Sequence, residues 1–123
     1  MISIAQFDRL QTLTEEMAQY IKKSADRFEL VKQTGSKSDF YTEVKPFADE
    51  VKGKVEVWKE EALVWVTEVR PKNLHSMQIS TTADNIEMVS IQAFFPETSR
   101  KRFIDHIQAI NYVLIGILNS FNK

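Results

Sequence analysis

The sequence predicts an all-α protein, a single-domain antiparallel up-and-down four-helix bundle. Apolar residues recur at intervals of three and four along four long segments, the period of one helical face. Only three glycines and three prolines punctuate 123 residues, too few for the many turns of a β-fold. Gly35, Pro71 and Pro96 mark short connections between segments, and short connections make consecutive helices antiparallel neighbours.

The first segment runs from about Ser3 to Thr34. Phe7, Leu10, Leu13, Met17, Ile21, Ser24, Phe28 and Val31 form its stripe, Ser3 with Gln6 reads as a capping box, and Gly35 reads as the stop. The second runs from about Ser38 to Arg70. Phe40, Val44, Phe47, Val51, Val55, Trp58, Ala62, Trp65 and Val69 form its stripe, opposite Glu50, Lys54, Glu60, Glu61 and Glu68. That stripe crosses Pro46 in phase. The expectation is a kinked helix, or one broken into two closely joined pieces, because proline removes a ladder hydrogen bond and crowds the preceding turn.

The third segment, from about Ser76 to Phe95, turns Ile79, Ala83, Ile86, Val89 or Ser90, and Ala93 inward. Ser76 reads as its N-cap. The fourth, from about Ser99 to Phe121, carries Phe103, Ile107, Ile110, Leu114, Ile117 and Phe121, flanked by Ile104, Ile115 and Leu118. Gly116 would allow a close helix approach. At 1.5 Å per residue the first two helices reach nearly 50 Å, against about 30 and 35 Å for the others. Either the first pair overshoots or the Pro46 region folds over the bundle end. Six of eight phenylalanines map to that end: Phe28, Phe40, Phe47, Phe94, Phe95 and Phe103.

Composition excludes much. Without cysteine there are no disulfides, zinc fingers, thiol nucleophiles or iron–sulfur clusters. Two histidines cannot make a three-histidine metal site, and neither has a glutamate three residues before it, as a carboxylate-bridged centre in a bundle requires. No metal and no cofactor is expected. A net charge of −1 argues against nucleic-acid binding. The longest apolar run, Tyr112 to Leu118, is far short of the about 20 residues of a membrane helix. No signal peptide is legible at the N-terminus, and the expected location is the cytoplasm. Residues 1–123 read as one domain without linker or repeat, long enough to bury about two-thirds of its surface.

Lys45-Pro46, Arg70-Pro71-Lys72 with His75 and Gln78-Ile79, and Lys101-Arg102-Phe103 resemble the YppE-like family of small uncharacterised Firmicute proteins. Ala25-Asp26-Arg27 and Ser38-Asp39-Phe40-Tyr41 fit the same pattern, and the resemblance spans roughly residues 20 to 118. The Arg70–His75 stretch is its most specific piece. The resemblance implies a bacterial four-helix bundle and no assigned activity. Some of the family carry histidines just before the Lys-Arg-Phe stretch, whereas Pro96 to Arg100 here contains none, so a metal role for this loop is not implied.

Three places hold candidate functional residues. Arg70 and Lys72 complement the C-terminal dipole of the second helix, with Asp8 a possible partner for Arg70, and His75 beside them could help bind an anion. Arg100, Lys101 and Arg102 open the fourth helix, where the dipole disfavours cations. Either nearby acids offset them (Glu97, Asp105, Asp39 or Glu43) or they form an anion or partner site. Phe40, Tyr41 and Phe47 form a candidate aromatic surface that would bind a partner if exposed. No catalytic residue is identified: a hydrolase built on His75 lacks a recognisable nucleophile. His106 would face solvent or a neighbouring helix. The expected function is a non-enzymatic protein-interaction module with an unknown protein partner, monomeric or homodimeric. The alternative is a protein that binds a small ligand or a phosphate-type anion.

Overall fold

The computed structural model describes residues 7–121. Four helices follow in order: α1 Asp8–Thr34, α2 Lys45–Val69, α3 Ser76–Gln92 and α4 Arg100–Ser120, with a π-helical turn at Phe40–Val44 ahead of α2. Each helix packs on the next, α4 closes the ring on α1, and α1 also touches α3 across the centre. The ion pairs Arg9–Glu61, Glu16–Lys54 and Arg27–Glu43 step down α1 as they step up α2 and into the π turn before it, so α1 and α2 are antiparallel. Phe28 stacked on Phe103 and Arg100 paired with Glu29 place the start of α4 beside the end of α1. The expected up-and-down bundle is the fold.

α1 buries the expected stripe from Leu10 to Val31, and Thr14 and Tyr20 with it. The buried threonine has a reason. Its hydroxyl accepts from Trp58 Nε1 at 3.0 Å and donates to the Leu10 carbonyl at 2.7 Å, so a buried indole N–H keeps a partner. Gly35 ends the helix at φ 65°, its N–H donating to the Val31 carbonyl at 2.8 Å. The Ser3–Gln6 capping box lies outside the described residues.

The second segment is in two closely joined pieces, as Pro46 suggests. Asp39 accepts from Thr42 N at 2.9 Å and starts the π turn, whose Val44 is buried. α2 then begins at Lys45, which puts Pro46 in its first turn, where a missing N–H breaks no ladder bond. α2 ends one residue early, with Val69 exposed and Val66 buried in its place.

α3 begins at Ser76 as expected, but the capping position is His75. Its backbone N–H donates to Gln78 Oε1 at 2.7 Å, the return arm of a capping box. Ser76 is therefore the first helical residue and not the cap. α3 also stops at Gln92, short of Phe95, and Thr98 Oγ1 donates to the Gln92 carbonyl at 2.8 Å. At α4, Ser99 caps by accepting from Arg102 N at 3.3 Å. Val113 joins the buried face, while Ile107 and Phe121 are only partly buried.

The aromatic pole forms, though with fewer members. Phe28 and Phe103 stack at 4.1 Å, and Phe47 meets Tyr20 at 6.0 Å and Phe94 at 5.8 Å, both edge-on. Phe40 and Phe95 stand at solvent. Around Pro46, Val44 is buried in the core and Phe47 packs into the pole, while Phe40 and Tyr41 at the start of the π turn stay outside it.

Candidate functional site

The Arg70–His75 connection is built around one buried side chain. Arg70 closes α2 in the left-handed conformation, φ 52° and ψ 58°, its N–H donating to the Val66 carbonyl at 3.0 Å. Pro71 prevents continuation. Asn73 is also left-handed, at φ 68°. These two reversals turn Leu74 into the bundle, where it is buried against α4. A Cβ at Gly116 would lie 3.3 Å from Leu74 Cδ1. The space at Gly116 thus seats a loop side chain, and the expected close approach of two helices is replaced by this contact.

With Leu74 pinned, Arg70, Lys72 and His75 all point to solvent. The expected Arg70–Asp8 pair is absent: among the described residues neither Arg70 nor Lys72 forms an ion pair. Three adjoining cavities of about 550, 510 and 540 Å³ surround the connection. The first two share Pro71 and Leu74, the second and third share His75, and Tyr112 lines the first and third. Through these shared residues they adjoin as one groove in three parts. The first, with Lys72, lies between the end of α2 and α4, the second, with Arg70, between the end of α2 and the start of α3, and the third between α3 and α4.

Its rim is apolar and uncovered. Met77 is 80% exposed, Tyr112 60%, Ile115 53% and Val69 42%. None of Met77, Tyr112 and Val69 is a site candidate in the sequence, where Val69 belongs to the stripe of the second segment and Ile115 flanks that of the fourth. The available signal was the pair Tyr112 and Ile115, three apart and off the core face.

The other basic candidates are differently engaged. Arg100 pairs with Glu29 on α1 and lies over the Phe28 ring at 5.6 Å. Lys101 pairs with Asp105 at 3.0 Å, one of the offsets expected. Glu97, Asp39 and Glu43 play no such part. Glu43 meets Arg27 at 2.6 Å, and Asp39 caps the π turn, where the Thr42 backbone N–H holds its carboxyl below the usual range. Arg102 is exposed and forms no ion pair among the described residues. The three cations therefore do not converge on one point, and a Glu29 carboxylate answers the unfavourable dipole.

The aromatic candidates also divide. Phe40, 51% exposed, and Tyr41, 78% exposed, lie edge-on to each other at 5.2 Å. Phe47 is part of the pole and not of that surface, because Tyr20 and Phe94 flank it. Arg27 covers the Phe94 ring at 5.1 Å and ties the π turn to α1 through Glu43. His106 is half-buried with Nδ1 out of solvent. Among the described residues no three His, Asp or Glu side chains gather as a metal-binding set, and no helix is long and apolar enough to cross a membrane.

The family profile of a bacterial domain of unknown function, DUF1798, matches residues 14–121. The chain is 31% identical over 108 residues to the uncharacterized protein YppE of Bacillus subtilis, covering 88% of each. A protein of unknown function from Listeria innocua superposes with a TM-score of 0.91 at 29% identity, over 95% of this chain and 94% of that one. A DUF1798 domain from Staphylococcus aureus gives 0.85 at 26% identity, over 92% and 96%.

Proposed function

The chain belongs to the DUF1798 family of bacterial domains of unknown function, and on that premise we propose that it is a non-enzymatic protein-interaction module of the cytoplasm. One observation carries the reading. Val69, Met77, Tyr112 and Ile115 stand uncovered around a groove, whereas at the opposite pole Phe28, Phe47, Phe94 and Phe103 pack on aromatic neighbours and the exposed Phe40, Tyr41 and Phe95 line none of its three cavities. Apolar side chains scattered singly over a surface carry no message, but apolar side chains gathered on a concave rim mark a place where another chain is received. Such a surface needs no nucleophile or metal.

Site-specific photo-cross-linking in cells tests this. A photoreactive amino acid replaces Tyr112, and in separate strains Phe40 or the exposed Lys52 on α2. A protein captured from position 112 well above the Lys52 background is the expected result. No capture from either 112 or 40 above that background would overturn the reading.

A second reading, binding of a small anion, draws on Arg70 and Lys72, exposed and without ion pairs among the described residues. An anion at 100 times its Kd would add about 2.7 kcal/mol of stability. A flat thermal-shift screen of phosphorylated compounds would remove it.

A further inference from the structure

We infer that the groove takes an acidic amphipathic helix of a partner protein, laid along α4 with its apolar face on Tyr112 and Ile115 and its carboxylates on Arg70, Lys72 and His75. The inference rests on the interaction reading above and adds the chemistry of the partner. Charge is the first support. Among the described residues lining the three cavities the charged side chains are Arg70 and Lys72, with His75 beside them and no Asp or Glu, in a chain that holds seventeen acids. Glu68, next to Val69, is exposed and lines none of them. An approaching acid therefore finds basic partners and no carboxylate in the lining itself, an arrangement that favours acidic over basic ligands and helps set their orientation.

Shape is the second support. The lining residues of α4 run from Ala109 to Ser120, about 16 Å of helix or three turns. A partner helix presents apolar anchors at i, i+3 or i+4, and i+7 on the same scale, the mode by which grooves receive amphipathic helices. Strain is the third. Arg70 is left-handed and precedes a proline, a place where most residues are extended. A non-glycine residue held in that conformation at the mouth of a groove points to a use for its side chain.

A displayed library of random peptides about 16 residues long, long enough to span the strip as a helix, selected on the immobilised protein, tests the inference. The expected winners are net acidic, with apolar residues at helical spacing. An enriched peptide, labelled and followed by fluorescence anisotropy, should weaken with added salt. It should lose about tenfold or more on Arg70→Glu or Lys72→Glu, and more on Ile115→Glu, but nothing on Phe40→Glu at the opposite end. Circular dichroism checks that each variant is folded. Winners that are neutral or basic, or that bind Arg70→Glu and Lys72→Glu unchanged, overturn the acidic partner but leave the interaction reading standing. A library that enriches nothing overturns the inference, while the cross-linking from positions 112 and 40 decides the interaction reading by itself. Sedimentation of the protein alone covers the remaining occupant: a dimer abolished by Ile115→Glu means a second copy fills the groove, which also overturns the inference.

Discussion

Arg70 holds a backbone position that glycine would occupy with less strain. Left-handed φ costs an L-residue roughly 1 kcal/mol, and Arg70 makes no ion pair among the described residues to offset it. Arg70→Gly should therefore leave stability unchanged or raise it by about 0.5–1 kcal/mol in urea unfolding, while it weakens partner binding. A clear loss of stability would show that the guanidinium is structural. Tyr20 makes a second residue-scale case. Burial, then the Glu50 and Glu16 carboxylates, push its phenol up to about 12. The folded value lies above the ordinary 10.0, so the folded state holds this proton more tightly. Its contribution is complete below about pH 10 and is lost as pH rises through about 12, on the order of 2 kcal/mol in all. Tyrosinate absorbance followed against pH should show a late phenol that is absent in Tyr20→Phe, and that variant should also lose the matching fall in stability.

At the scale of the element, the two helical glycines behave oppositely. Nothing lies within 4 Å of a Cβ placed at Gly53, in the middle of α2, so Gly53→Ala should stabilise by about 0.5–1 kcal/mol. Gly116→Ala gains the same helix propensity but presses on Leu74, and should give a smaller rise in Tm or a fall. A larger rise at Gly116 than at Gly53 would contradict the seating of Leu74. These elements also show how far the sequence could be read. The stripes of α1 to α4 were legible because a bundle core imposes a 3.6-residue period on the residues themselves. The two-piece second segment was legible from Pro46, but not its form. A π turn accommodates the proline by starting α2 just before it, a choice made by the Asp39 cap and the burial of Val44. The Arg100–Glu29 pair was not legible, because a partner on another helix depends on how α1 and α4 are offset. The Arg70–His75 corner was legible as a candidate. Its apolar rim was not, since Tyr112, Ile115 and Met77 become a surface only when the loop before α3 leaves the space beside α4 open.

Across the whole molecule, the aromatic pole and the proposed interaction surface lie toward opposite ends of the bundle. At the pole, Phe28 and Phe103 are buried and stacked, and Arg100 and Lys32 lie over the Phe28 ring. At the other end, Leu74 is sealed while Met77, Tyr112 and Ile115 make the rim. Deleting a side chain at each end should then act on different observables. Phe103→Ala removes a buried ring that its stacked neighbour cannot replace, and should cost about 3–5 kcal/mol. A chain of this length has a stability of roughly 6–18 kcal/mol, enough for that variant to stay largely folded. Tyr112→Ser and Met77→Ser remove side chains already at solvent, and each should change stability by no more than about 0.5 kcal/mol. Urea unfolding of the three variants, each with the wild-type m-value, measures the contrast. Peptide binding should invert it: undiminished in the folded fraction of Phe103→Ala, and strongly weakened in Tyr112→Ser. Stability lost at Tyr112 on the scale of Phe103 would make the tyrosine part of the core, and the groove would then be a packing feature of the bundle end and not a place for a partner.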